Sequence, residues 1–355
     1  MKHIFHIDVG SLVIKMPMRN HDHILDDPGC RYRGNTVLKL AILDDYQNAA
    51  LKAADWTVLG NDIDITVFDE HLGWDESDIA KALAPFDILV CMRERTRFPV
   101  SQIDILPNLK LLVTTGMRNL AIDMEHARSK GIVVSGTDML PYPAAEHAVA
   151  MITDLYKKIS AESQVMRNGG WQGYVSESLN GRTLGILGLG KLGARVAKFG
   201  LAMEMDVIAW SQNLTDERCA EVGVRRVDKE TFFETSDVIS IHLILSERSE
   251  GLVGVTEFKQ MKPTSYLVNT SRGPIVDEAA LVGALSSGEI AGAGIDVYDV
   301  EPLPVDHPLR SLDNAVLTGH TGYVVKELYE LVYAQAVENI QTWKDDAPSR
   351  VLNTQ

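Results

Sequence analysis

Cysteine is scarce in this chain. Its 355 residues hold three, Cys30, Cys91 and Cys219, far apart and without a CxxC pair. An odd, scattered set excludes a disulfide framework and a zinc ribbon, and points to a reducing, cytoplasmic setting. Long apolar runs are missing too. Nothing approaches the ~18–20 residues that cross a bilayer. The short run VGSLVI, flanked by Asp8 and Lys15, is too brief for a signal-peptide core, so neither a membrane nor a secretory route is expected. Positive charge is in deficit: 34 Lys and Arg stand against 49 Asp and Glu, a formal net charge of −15. Such a surface repels polyanions, so nucleic acid is not an expected partner.

The chain is too long for one compact core and suits two domains. Residues 1–36 carry His3, His6, His21 and His23 without a sustained period, and read as a loosely ordered extension rather than a metal-binding tail. From residue 38, short β-rich runs alternate with helical patterns. LKLAILDD (38–45), DITVFDE (64–70), DILVCM (87–92), LKLLVTTG (109–116) and IVVSGT (132–137) read as strands. Alternation of this kind predicts βαβ units on a parallel sheet. No glycine-rich turn follows the first strand, so this first half is not expected to hold a dinucleotide. A helix is predicted over 143–166, then a polar, glycine-rich loop, NGGWQGYVSESLNGR. A second series of strands starts at TLGILGL (183–189) and continues through DVIAW, DVISIHL, SYLVNTS, AGAGIDV and NAVLTG. A final helix is predicted over 324–346. The fold class is therefore α/β, with two Rossmann-like domains on parallel sheets.

GILGLGKLG supplies Gly188, Gly190 and Gly193 at G-x-G-x-x-G spacing, with Lys191 and Leu192 inside the turn. The motif alone is weak, but an apolar strand precedes it and an amphipathic helix follows. The first glycine allows the tight turn, the second lets the backbone approach a pyrophosphate, and the third lets helix pack on strand. The helix N-terminus then offers N–H groups to the phosphates. One expected residue is absent. About 20 residues beyond the glycines, NAD sites place an acid that accepts bonds from the ribose 2′-OH and repels a 2′-phosphate. Ser211, Gln212 and Asn213 stand there instead. Arg218, Arg225 and Arg226 follow closely. The cofactor reading is NADP or NAD, leaning to NADP or dual use.

Two further segments, VNTSRGPIVDEAALVGALSSGEIAGAGIDVYDVEPLP and DNAVLTGHTGY, together with AAEHAVA, make the chain resemble the D-isomer-specific 2-hydroxyacid dehydrogenases, which include glyoxylate/hydroxypyruvate reductase-like and phosphoglycerate dehydrogenase-like proteins. The resemblance covers roughly 38–350 and is densest over 183–322. It implies a catalytic set of Arg272, Glu301 and His320. Arg272 would bind and polarise a 2-oxo acid through paired hydrogen bonds. His320 would give a proton to the carbonyl oxygen during reduction and take it back during oxidation. Glu301 would hold the imidazole in one tautomer. Thr270, Ser271, Arg272, Asp296, His320 and Gly322 are implied to face the cofactor, Asp296 near the nicotinamide carboxamide. Each residue alone has an ordinary structural explanation; their joint placement at strand ends of a sheet with a phosphate turn is what argues for a site. The Glu–His pair favours a hydroxy acid over formate.

In the first half, MRERT (92–96) and TTGMRN (114–119) match two cleft-facing loops of the family, implying that backbone N–H groups near Gly116 and Met117 hold the substrate carboxylate and that Arg93 and Arg118 add positive charge there. The sequence departs from the family pattern at Ile244, at Gly319 and at Tyr323, whose bulk is expected to narrow or line the pocket. The resulting expectation is an extension over 1–36, a substrate domain over 37–140 and 325–355, and a dinucleotide domain over 141–324, with the active site in the cleft between the domains. The resemblance also implies a homodimer acting on small 2-oxo or D-2-hydroxy acids. The alternative of the same fold is an NAD(H)-binding, corepressor-like regulatory protein. No metal is expected.

Overall fold

The computed structural model describes residues 37–354. The expectations for residues 1–36, including Cys30 and the four histidines, lie outside the described residues. The chain divides into two compact units. One ends at Asp138 and resumes at Glu330; the other is Met139–Tyr329.

The first unit is built on five parallel strands: β1 (Leu38–Ile42), β2 (Ile63–Val67), β3 (Ile88–Cys91), β4 (Leu111–Thr114) and β5 (Val133–Ser135), in the order β2-β1-β3-β4-β5. Strands β3 and β4 are buried on both faces, which explains their unbroken apolar runs, ILVC and LLVT. Leu43, Leu89, Cys91, Leu112 and Val134 pack with Ile79 and Leu83 of the helix Glu76–Leu83. The end of the chain completes this unit. Val351 bridges to Ser135, and the Asn353 side chain accepts from Val134 N and donates to Ile132 O.

The second unit carries seven strands: β6 (Thr183–Leu187), β7 (Asp206–Trp210), β8 (Arg225–Arg226), β9 (Val238–Ile241), β10 (Tyr266–Asn269), β11 (Gly292–Ile295) and β12 (Ala315–Leu317), in the order β12-β11-β10-β9-β6-β7-β8. All pairings are parallel, and the chain steps outward from β6 in both directions. The helices Pro143–Lys157 and Lys191–Ala202 cover one face through Ala148, Met151, Leu155 and Val196. Phe232, Phe233, Phe258, Leu281 and Leu285 cover the other. A parallel sheet needs both faces covered, because its crossovers place helices on each side.

Two local expectations change. The helix predicted over 143–166 is two helices, Pro143–Lys157 and Ile159–Arg167, broken at Lys158 with φ 53°. The first helix keeps its bond from Lys158 N to Asp154 O, and the Asp154 carboxylate then takes Ser160 N and Oγ, holding the first turn of the second helix. A polar side chain that offers the backbone another partner competes with helix continuation. The strand β8 is only two residues long and passed unnoticed in the sequence. Among the described residues no helix is long and apolar enough to cross a membrane, and no group of three or more His, Cys, Asp or Glu could hold a metal ion. The cysteines Cys91 and Cys219 are free and buried.

Candidate active site

The glycine turn follows β6 directly. Gly188 sits at φ 102°, a region open to glycine, and donates from its N–H to Trp210 O at 3.0 Å. A Cβ on Gly188 would lie 2.9 Å from His242 O. A Cβ on Gly193 would lie 2.1 Å from Gly188 O, so helix and strand touch there at backbone distance. Gly190 differs: nothing lies within 4 Å of its Cβ position, and it caps the helix Lys191–Ala202 without a side-chain bond. The turn thus leaves open space and an uncapped helix N-terminus on one side, which fits a pyrophosphate. Lys191 is exposed and Leu192 packs partly on the core. Ser211, directly after β7, is half-buried, and Gln212 and Asn213 are exposed.

The three residues implied to act together are brought to one end of the sheet. The loop after β12 carries His320 at φ 52°, its N–H held by Asp296 O at 2.7 Å. The imidazole Nδ1 meets Glu301 Oε2 at 2.6 Å. The other oxygen of Glu301 accepts from Tyr298 N at 2.9 Å. A carboxylate facing Nδ1 makes that nitrogen the donor, so Nε2 is the one left to exchange a proton. Tyr298 supports both sides of the pair, since its hydroxyl is shared between Ile295 O at 3.1 Å and Thr318 O at 2.9 Å. Arg272 follows β10, half-buried, with Nη1 on Ser271 O at 2.7 Å. Asn269 shapes that turn, donating to Arg272 O and accepting from Ser271 N, while Ser271 Oγ donates to Ile241 O. Thr270 is buried at the strand end.

Asp296, implied to face the cofactor, has a side chain only 1% exposed and both oxygens engaged. Oδ1 accepts from Thr318 Oγ1 at 2.6 Å and Thr321 N at 2.8 Å, and Oδ2 accepts from Gly322 N at 2.9 Å. Burial works against its charge. The bonds from His147 and Thr318 and the His147 charge outweigh that, and the carboxyl is held below its ordinary range. Asp296 therefore anchors the whole loop that carries His320. Gly322 belongs to the same anchor: a Cβ there would lie 2.9 Å from Asp296 Oδ2. Tyr323 is buried, its ring edge-on to His320 with centroids 5.5 Å apart.

Two contributors escaped the sequence reading. His147, on the helix Pro143–Lys157, reaches Thr318 Oγ1 at 2.9 Å and Asp296 Oδ1 at 3.4 Å. Its signal was the AEH of AAEHAVA, which marks a helix but not its partner 149 residues away. Gly273 is the other. A Cβ there would lie 2.1 Å from Tyr298 C, so the Arg272 loop crosses the Glu301 loop backbone to backbone.

In the first unit, the proposed substrate loops lie at the ends of β3 and β4. Arg93, at φ 55°, donates from its N–H to Thr115 Oγ1 at 2.9 Å, and its side chain reaches Thr115 O and Glu94. Gly116, at φ 99°, is buried and spends its N–H on Thr137 Oγ1 at 3.0 Å. The neighbouring strand end brings that hydroxyl within reach and fixes the Gly116 backbone. Met117 and Arg118 are exposed. Asn119 ties both loops together, donating to Arg93 O and Thr114 Oγ1.

A parallel sheet whose helix follows a G-x-G-x-x-G turn defines a dinucleotide-binding α/β protein. The family model of the D-isomer specific 2-hydroxyacid dehydrogenase NAD binding domain matches residues 149–322. A D-3-phosphoglycerate dehydrogenase of Archaeoglobus fulgidus is 34% identical over 281 residues, 78% of this chain and 53% of that protein. The chain thus spans about half the length of that relative. A putative 2-hydroxyacid dehydrogenase of Staphylococcus aureus is 35% identical over 260 residues, 71% of this chain and 81% of that one. The crystal structure of a putative D-3-phosphoglycerate dehydrogenase oxidoreductase from Ralstonia solanacearum superposes with a TM-score of 0.83 at 34% identity, covering 89% of this chain and 97% of its own. The chain belongs to the D-isomer specific 2-hydroxyacid dehydrogenase family and carries its NAD-binding domain.

Proposed function

We propose that this protein is a nicotinamide-dependent oxidoreductase that interconverts small 2-oxo acids and D-2-hydroxy acids. The observation that carries the proposal is the 2.6 Å contact between His320 Nδ1 and Glu301 Oε2, at the same sheet end as Arg272. A nicotinamide held by the second unit would supply or accept the hydride. The chain's own groups do the rest. Arg272 pairs with the substrate carboxylate and polarises the adjoining carbonyl. His320 delivers a proton from Nε2 to the carbonyl oxygen, and Glu301 stabilises its charged form; oxidation runs the same steps backward. Asp296 and Tyr298 keep the loop of His320 in place while it gains and loses charge. The glycine turn and the N-terminus of Lys191–Ala202 take the pyrophosphate. Thr270, Ser271 and Gly322 line the nicotinamide end. In the first unit, backbone N–H groups near Gly116 and Met117 and the charges of Arg93 and Arg118 suit a substrate carboxylate.

The cofactor is NADP(H), or either dinucleotide, because no acid follows β7 to reject a 2′-phosphate. The setting is a reducing, cytoplasmic one, in keeping with two buried free thiols. The protein works as a homodimer. Support for that comes from residues 159–175, where Ile159, Met166, Trp171, Tyr174 and Val175 are all exposed. A monomer mass by light scattering would remove the dimer.

The test of the enzyme reading is oxidation of NADPH and NADH by a panel of glyoxylate, hydroxypyruvate, phenylpyruvate and branched 2-oxo acids. Turnover with at least one is expected. His320→Ala should lower kcat about a thousandfold while leaving dinucleotide affinity within about threefold, since proton transfer by a placed side chain contributes about 10²–10⁴. Retained turnover in that variant would show that another group moves the proton.

A further inference from the structure

Three arginines follow β7, and the structure sends them to different places. Arg225 and Arg226 form β8, in register with Ile208 and Ala209. Arg225 pairs at 2.6 Å with Asp206, which starts β7 and so lies at the opposite end of the strand from Ser211. Arg226 pairs with Asp216 at 3.4 Å. Arg218 goes elsewhere. It sits in the first turn of the helix Asp216–Val222, its N–H capped by Thr215 Oγ1 at 3.2 Å. From there the guanidinium reaches back to the glycine turn. Nε donates to Leu189 O at 3.0 Å, Nη2 to Gly190 O at 3.5 Å, and Nη1 to Glu221 at 2.9 Å.

The bond from Gly188 N to Trp210 O draws the same turn against the end of β7. The glycine turn, residues 210–213 and Arg218 therefore enclose one corner of the second unit. In a fold of this kind the adenosine ribose lies between the glycine turn and the end of the second strand. An acid there would take the 2′-OH and repel a phosphate. Ser211, Gln212 and Asn213 carry no charge, so the positive charge at this corner comes from Lys191 in the turn and from Arg218, the one that reaches back from beyond β7. A guanidinium has five N–H donors in a rigid fork, and the three bonds above leave two. Two backbone carbonyls hold the fork in place before a ligand arrives, which lowers the entropic cost of using it. Glu221 opposes an incoming anion. Its side chain is 65% exposed, though, and an exposed ion pair is weak enough for a phosphate dianion to displace.

We propose that Arg218 is the residue that recognises the 2′-phosphate of NADP(H), with Ser211, Gln212 and Asn213 as the neutral wall that admits it. The assignment rests on the reading of this unit as a nicotinamide dinucleotide site.

The experiment is a binding titration, by fluorescence and calorimetry, of the wild-type protein and of Arg218→Ala, Arg218→Lys and Glu221→Gln. The probes are NADPH, NADH, 2′,5′-ADP and 5′-AMP. The wild-type protein should bind 2′,5′-ADP more tightly than 5′-AMP. Arg218→Ala should weaken NADPH and 2′,5′-ADP by about tenfold or more, and NADH and 5′-AMP by less than about threefold, the scale of one charge-assisted contact. Arg218→Lys should recover part of the NADPH affinity. Glu221→Gln should tighten NADPH alone, by about threefold, as removal of one exposed opposing charge. Equal losses for both dinucleotides in Arg218→Ala would make Arg218 a brace of the turn and overturn the proposal, as would a wild-type preference for NADH. If Arg218→Ala fails to fold, an unchanged NADPH-to-NADH ratio in Glu221→Gln overturns it instead. Wild-type protein that binds no dinucleotide would remove the dehydrogenase reading itself, an outcome distinct from the others.

Discussion

The two units repeat one construction and use it differently. Each opens on a central strand, β1 or β6, that runs into a turn and a helix. After β1 the turn holds Asp44 and Asp45, both buried. The two oxygens of Asp45 accept from Ala49 N at 2.9 Å and Ala50 N at 3.0 Å, so the helix that follows is already capped by an anion of the chain itself. After β6 the turn holds three glycines, and the helix starts at Gly190 with no side-chain cap and open space at its Cβ position. A helix N-terminus has unsatisfied N–H groups and a positive end, and something must meet them. One unit meets them internally and is closed to phosphate. The other leaves its helix start without a side-chain cap and with open space beside it.

The most damaging way to erase this difference is to give the second turn an acid. Gly190→Asp meets no steric obstacle, so the fold should survive with its thermal midpoint little changed. Dinucleotide affinity should fall by about a hundredfold or more, about 3 kcal/mol, as a carboxylate takes the place of the pyrophosphate. Unaltered affinity in a nucleotide titration would mean that phosphates do not bind at this helix.

Acid should separate the units next. Burial pushes Asp44 and Asp45 above the ordinary value of 3.8, against bonds from Thr96 and Ala49 respectively. Asp296 ends below 3.8. A raised carboxyl binds its proton more tightly folded than unfolded, so the first unit loses stability as pH climbs from 3.8 through the raised values. A depressed carboxyl contributes stability that is present above 3.8 and is lost as pH falls through its folded value. Moving from about pH 6 to about pH 3 should therefore loosen residues 318–322 and tighten residues 43–49. Hydrogen exchange corrected for intrinsic rates measures both, and a change of the same sign in both segments would contradict this account.

The smallest effect comes from the other side of the comparison. Asp45→Ala removes the internal cap and should cost about 1 kcal/mol. Denaturant unfolding should show it, with NADPH and NADH affinities unmoved. A loss of dinucleotide affinity in this variant would mean that the first turn also touches the cofactor.

Much of the site was legible because its signals are local. Gly188, Gly190 and Gly193 fall within six residues, and apolar runs such as ILVC and TLGIL announce buried strands by composition alone. Arg272, Glu301 and His320 were found through short segments that resemble a family. Contacts between distant segments were not legible. Nothing near Lys158 signals a left-handed break except a pair, Asp154 and Ser160, that can equally serve inside or outside a helix. His147 looks like a helix residue until the fold sets it against Asp296. Gly116 looks like an available amide until Thr137 arrives beside it.

By itself, then, the sequence determined where the longer strands fall, that the chain makes two α/β units, and where its glycine turn lies. Backbone preferences and hydrophobic period act over a few residues and can be read along the chain. Tertiary structure alone decided that Asp296 anchors the His320 loop, that Gly273 lets two loops cross, and that Arg218, of three arginines, meets the glycine turn. Those outcomes depend on which strand ends become neighbours, and in a parallel sheet the neighbours are set by crossovers that join residues far apart in the chain.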